Sequence, residues 1–83
     1  MATSLPRVTS VHVVAPYSLD ITFNDGTHCL INLESELYGE VFEPLRDPAF
    51  FAQAYIDGPT VAWPNGADFS PEWLYEQATT KAS

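Results

Sequence analysis

The feature that most constrains the fold is a turn signal, Asn24-Asp25-Gly26, between two segments of alternating polarity. Apolar and polar residues alternate over residues 18–23 and again over 28–33, as they do in strands that have one buried and one wetter face. Aspartate followed by glycine is a strong signal for a turn between two such strands. These residues therefore predict an antiparallel hairpin.

The length of the turn decides which side chains share a face, because a shift of one residue reverses every side chain of a strand. A two-residue turn would separate Cys29 and Ile31 from Ile21. A three-residue turn with Gly26 in the left-handed region instead places every apolar residue of the hairpin except Leu30 on one face. We therefore predict the longer turn. The expected partners are Phe23 with Thr27, Ile21 with Cys29, and Leu19 with Ile31.

Two further strand signals complete a meander and a second hairpin. Ahead of the first hairpin, Val11, Val13 and Ala15 alternate with Ser10, His12 and Val14 and are expected on the buried face. Gly58-Pro59 separates residues 55–57 from residues 60–63, which predicts a second hairpin that ends at the first tryptophan.

Three short helices are predicted from their capping residues. Asn32 can cap a helix over residues 33–38, which Gly39 would end. Asp47-Pro48 and Ser70-Pro71 each place a hydrogen-bond acceptor before a proline, and predict helices that stop near Gln53 and Ala78. The order β-β-β-α-α-β-β-α indicates an α+β fold, an antiparallel sheet packed with two or three short helices. Eighty-three residues fit one domain, 1–83, with an ordered core over about residues 7–78 and loose ends.

The charge of the chain limits its partners. Eleven acidic residues outnumber three scattered basic ones, Arg7, Arg46 and Lys81, for a net charge of −8. Such a chain is repelled by nucleic acids and anionic membranes and attracted to basic proteins. A lone cysteine, no apolar run of signal-peptide length and no apolar run long enough for a membrane span lead us to expect a soluble cytoplasmic protein.

Candidate catalytic and metal-binding groups do not form a set. Glu34, Glu36, Glu40 and Glu43 lie in what should be an exposed connection, whereas a catalytic acid needs desolvation. His28 and Cys29 are adjacent in a strand and point to opposite faces, and His12 adds too few ligands for zinc. Cys29 is expected in the core, where a thiol is inert. We therefore predict no enzyme activity, no metal and no cofactor.

The stretch from Val61 to Tyr75 contains both tryptophans. Trp63 and Trp73 are expected in the core, because a small domain needs its largest side chains there. The alternative is that one of them anchors a partner, since tryptophan is common at interface hot spots. Asp68 is expected to accept backbone N–H groups that the loop leaves unpaired.

The chain resembles a small prokaryotic family, domain of unknown function 2442, over Val8 to Tyr75. The similarity is strongest across the segment from Trp63 to Tyr75, where the sequence reads WPNGADFSPEWLY. The other similar stretches are Tyr17-Ser18-Leu19, Phe23-Asn24-Asp25-Gly26, Ile31-Asn32-Leu33 and Leu45-Arg46-Asp47 with Phe50. The resemblance implies an α+β fold without established activity. It also implies a companion in toxin–antitoxin-like pairs, or a sensor segment joined to a DNA-binding domain.

These observations favour an acidic protein-interaction module, an antitoxin-like partner of a small basic protein. Glu34, Glu36, Glu40, Glu43 and Asp47 would steer association, and Trp63 or Trp73 would anchor it. A small-ligand sensor and a nucleic-acid mimic remain as alternatives. Homodimerisation through an unpaired sheet edge is also open.

Overall fold

The computed structural model describes residues 5–80, which form five strands and two α-helices with two short 3-10 turns between them. The elements are β1 (Val8–Ala15), β2 (Ser18–Phe23), β3 (His28–Asn32), 3-10 turns Glu34–Glu36 and Glu43–Arg46, α1 (Pro48–Phe51), β4 (Tyr55–Asp57), β5 (Thr60–Ala62) and α2 (Pro71–Thr80). This arrangement confirms the predicted α+β class. The predicted loose residues 1–4 and 81–83, Lys81 included, lie outside the described residues.

The strands form two antiparallel sheets that meet at β1. The larger sheet has the order β1-β2-β3, and the smaller pairs β4 with β5. The backbone N–H of Val8 donates to the carbonyl of Pro59 at 2.8 Å and so joins the sheets. Backbone hydrogen bonding of this kind satisfies groups that would otherwise be costly to bury.

The register between β2 and β3 confirms the three-residue turn. Leu19 pairs with Ile31 and Ile21 with Cys29, and the N–H of Phe23 donates to the carbonyl of Thr27 at 2.8 Å. Gly26 has a φ of +90°, a conformation that costs glycine little and other residues more. The turn chemistry and the apolar pattern therefore act together to fix the register.

Three predicted details of the first half were wrong. Ala15 is exposed, because the pairing with β2 shifts between Val13 and Ala15. Cys29 is half-buried at the margin of the core. The predicted helix over 33–38 is only the turn Glu34–Glu36, since Leu33 and Leu37 are both fully buried and the chain turns towards the core at each end.

The helix caps follow the predicted chemistry. The Asp47 side chain accepts from the N–H of Ala49 at 3.1 Å at the start of α1, and Ser70 Oγ accepts from the N–H of Trp73 at 3.1 Å in the first turn of α2. α2 continues to Thr80, two residues beyond its predicted end. The turn Glu43–Arg46, which contains Pro44, was not predicted.

One cluster of buried side chains lies between the inner sheet faces, α1, α2 and the connection that follows β3. Trp63 is fully buried in it, and its ring centroid lies 5.5 Å from that of Phe51. The other members are Val8, Leu19, Ile21, Phe23, Ile31, Leu33, Leu37, Leu45, Phe51, Val61, Ala67, Leu74 and Ala78. Among residues 5–80, the helices are too short and too polar to cross a bilayer.

Candidate functional site

The acidic residues of interest lie on residues 33–47, here called the connection, which is held down at several points. The hydroxyl of Tyr17 donates to the carbonyl of Arg46, and Arg46 Nη1 donates to the carbonyl of Leu37 at 2.9 Å. From the other half of the chain, Asn65 Nδ2 donates to the carbonyl of Val41 at 2.9 Å. Although the connection has little regular structure, its backbone is therefore fixed against the rest of the fold.

The carboxylates on the connection are exposed, apart from one. Glu34, Glu40, Glu43 and Asp47 are exposed, and Glu36 is half-buried. Within residues 5–80, the only acidic–basic pair within 4.0 Å is Asp20 with His28, on the larger sheet. The connection thus presents several carboxylates that no described lysine or arginine neutralises.

An aromatic groove adjoins this acidic surface. We use this name for the hollow of about 320 Å³ lined by Glu36, Tyr38, Phe42, Asp68, Phe69, Ser70 and Trp73. Phe42 and Phe69 lie 4.9 Å apart between ring centroids, and Phe69 and Trp73 lie 5.4 Å apart with their planes only 21° from parallel. The three rings therefore form a continuous row along the groove, in which Phe69 and Trp73 are stacked and Phe42 is tilted.

The two tryptophans have different positions. Trp63 has 0% of its surface exposed, and its indole N–H donates to the carbonyl of Phe51 at 2.9 Å. It supports the groove from below through an edge contact with Phe69, 5.9 Å away, and offers a partner no surface. Trp73 is half-buried and lines the groove itself. Of the two candidate anchors, only Trp73 is accessible.

Asp68 does not have the role expected from the sequence. The N–H of Ala67 donates to Asn65 Oδ1 at 3.1 Å. This asparagine, not Asp68, therefore provides the side-chain acceptor for the loop backbone. The side chain of Asp68 is exposed and lines the aromatic groove. Because the loop does not need it, this carboxylate is available to a ligand, together with Glu36.

Sequence reasoning identified Glu36 and Trp73 but missed most of the groove. Tyr38, Phe42, Asp68 and Phe69 come from two segments that are far apart in the chain. No local pattern indicates that these segments meet. The exposure of Tyr38, at 70%, is a signal that only the folded structure provides.

The remaining candidate features are the two histidines and a second hollow. His28 hydrogen-bonds Asp20, and His12 lies 3.3 Å from the hydroxyl of Ser10. No set of three histidine, cysteine or acidic side chains suited to a metal occurs in the described part of the chain. A hollow of about 200 Å³ lies beside Tyr75 and Asp25.

The hydroxyl of Tyr75 donates to Asp25, which caps the turn before β3 by accepting from the N–H of Thr27 at 2.9 Å. These hydrogen bonds, with that from Tyr75 the largest cause, hold the pKa of Asp25 below its ordinary value of 3.8. The pair therefore joins α2 to the first hairpin, which is a structural function.

A family model described as "Protein of unknown function (DUF2442)" matches residues 8–80. No curated protein and no solved structure matches the chain.

Proposed function

The chain belongs to the family of proteins of unknown function DUF2442, and we propose that it is a cytoplasmic protein-interaction module that binds a small basic protein. In this proposal the module neutralises or stabilises its partner, as an antitoxin does in a prokaryotic toxin–antitoxin pair. The observation that carries the proposal is the exposed, unneutralised set of carboxylates on a connection whose backbone is fixed.

Charge supports this proposal through the rate of encounter. A net charge of −8 attracts a cationic protein from a distance, and local carboxylates orient it as it arrives. Glu34, Glu40, Glu43 and Asp47 are exposed on one connection. The connection would thus be the surface towards which a basic partner is steered.

The fixed backbone also supports the proposal, because it lowers the entropic cost of association. A flexible acidic loop would lose conformational freedom when it ordered on a partner, and that loss would weaken the complex. Here the hydrogen bonds from Tyr17, Arg46 and Asn65 already hold the connection. Less ordering is therefore needed on association.

The proposal is tested by co-expressing the chain with candidate small basic proteins, beginning with any that are encoded beside its gene. The first measurement is co-purification after co-expression, together with rescue of growth if the basic protein is toxic. The second is the association rate at low and at high salt. We expect a stable complex whose association slows as salt rises, because screening shortens the reach of the charges.

A pair of matched variants separates the local surface from net charge. Glu40→Gln with Glu43→Gln removes two negative charges from the connection, and Val14→Lys with Leu30→Lys adds two positive charges on the outer face of the larger sheet. Each double variant changes the net charge of −8 by two units, to −6. We expect the first to slow association by about tenfold and the second by much less. Equal effects, or no complex at all, would contradict the proposal.

A small-ligand sensor is the second candidate, because the aromatic groove, at about 320 Å³, has the size of a small ligand site. A thermal-shift screen of metabolites tests it, since a ligand at about 100 times its dissociation constant stabilises by about 2.7 kcal/mol. The third candidate, a nucleic-acid mimic, would compete with DNA for a DNA-binding protein.

A further inference from the structure

The aromatic groove combines two kinds of lining, aromatic and acidic. Phe42, Phe69 and Trp73 provide aromatic ring surface, and Glu36 and Asp68 provide two carboxylates. A purely apolar ligand would bury these carboxylates without a counter-charge, which is costly. A small hydrated cation would gain little from the rings. The lining therefore favours a group that is both flat and positively charged.

We propose that the groove receives an arginine side chain of the basic partner, with its guanidinium against Trp73 and its N–H groups directed to Glu36 and Asp68. This inference rests on the proposed function and names the chemistry of its contact. Guanidinium is planar and weakly hydrated, stacks on aromatic faces and donates to carboxylates through a fixed fork. Tryptophan is the best ring for this contact.

The charges around the groove agree with this occupant. Within residues 5–80, neither Glu36 nor Asp68 lies within 4.0 Å of a basic group. The basic residue of the connection, Arg46, directs Nη1 to the carbonyl of Leu37 at 2.9 Å. The fold thus uses its own arginine to hold the connection and leaves the groove carboxylates without a counter-charge.

The contacts between the rings also preorganise the groove. Phe69 is fixed between Phe42 and Trp73, and Trp63 contacts it from the core. The hydroxyl of Ser70 holds the first turn of α2, on which Trp73 lies. Trp73 is therefore positioned before any partner arrives, which reduces the ordering required when an arginine stacks on it.

The experiment compares octa-arginine with octa-lysine, two probes of equal charge. Binding is measured by isothermal titration, and the site is located by the NMR signal of the Trp73 indole N–H. Both peptides are attracted to the acidic surface, but only guanidinium has the geometry for stacking. We expect octa-arginine to bind about fivefold more tightly and to shift the Trp73 signal.

Three variants assign the preference to the groove. Trp73→Leu and Asp68→Asn should each reduce the preference for arginine over lysine. Glu40→Gln removes the same charge as Asp68→Asn outside the groove, and should weaken both peptides equally. Because Asp68→Asn changes a single exposed group, it remains informative if Trp73→Leu fails to fold.

The outcomes separate the groove from the wider proposal. Equal binding of the two peptides, with the Trp73 signal unmoved, would overturn the arginine site while leaving the acidic surface as a binding face. No binding of octa-arginine would also overturn it. Failure of the basic partner to co-purify would instead count against the interaction function itself.

Discussion

Trp63→Phe is expected to lower the free energy of unfolding by about 3 kcal/mol, in three parts of similar size. The lost indole hydrogen bond to Phe51 costs about 1 kcal/mol, a typical net value. The loss is no larger because the carbonyl of Phe51 keeps a second donor, the N–H of Ala54 at 3.3 Å. The smaller ring buries about 40 Å² less apolar surface, which costs about 1 kcal/mol. A cavity of about 40 Å³ adds about 1 kcal/mol more.

This loss is large for a chain of 83 residues, whose total stability should be about 4–12 kcal/mol. The free energy is measured by urea unfolding followed by far-ultraviolet circular dichroism. In a thermal melt followed by the same signal, the Tm should fall by about 12–24 °C. The control is Trp73→Phe, the same chemical change at the half-buried tryptophan, which should cost less than about 1 kcal/mol. Equal losses in the two variants would refute the argument that Trp63 belongs to the core and Trp73 to the surface.

Three smaller perturbations test the turn, the cap and the tyrosine contact. Gly26→Ala should cost about 1–2 kcal/mol in urea unfolding. The cost should come from strain alone, because φ is +90° and no atom beyond the two neighbouring residues lies within 4 Å of the added carbon; an unchanged midpoint would refute this. Ser70→Ala should cost about 1 kcal/mol by releasing the N–H of Trp73, whereas Ser70→Asp should cost less; equal losses would count against the cap. The pKa of Asp25 is lower in the folded chain than its ordinary value. The hydrogen bonds that lower it therefore stabilise the fold at a pH above the unfolded-state pKa, and this stability is lost as the pH falls through the folded-state pKa. Tyr75→Phe should therefore lose less stability than the parent as the pH is lowered from neutral through the ordinary aspartate pKa of 3.8 and below it, and identical pH profiles in urea unfolding would contradict this.

The first hairpin could be predicted from sequence because two local signals give the same answer. The alternation of Leu19 and Ile21 requires one register, and Gly26 supplies the backbone conformation which that register needs. The prediction that Asp47 caps α1 rested on an equally local signal. Where pattern and turn chemistry agree, no knowledge of distant contacts is required.

The connection could not be predicted in detail, because its shape depends on contacts between distant parts of the chain. Asn32 accepts from the N–H of Glu34 at 2.9 Å, as a helix cap would. The burial of both Leu33 and Leu37 then decides that only one turn forms. Ala15 is exposed for a similar reason, since the shift in pairing near the end of β1 is not visible in alternation alone.

The groove was missed because it joins residues 36–42 to residues 68–73. Composition predicts exposed acids and aromatic surface, but not which loops meet. The hydrogen bond from Asn65 to Val41 brings the loops together, and an asparagine in a turn usually satisfies its own backbone. The sequence therefore indicated the charge of the surface, but its shape could be seen only in the folded structure.

The hydrogen bonds that fix the connection also determine when the proposed binding surface forms during folding. Tyr17 reaches Arg46 across 29 residues and Asn65 reaches Val41 across 24, so the connection can become ordered only after both flanking regions have docked. A partner that recognises this surface would bind native chains and ignore nascent ones. Binding of that kind raises global stability by mass action. If the chain has such a partner, its lifetime against cellular proteases should lengthen as that partner accumulates.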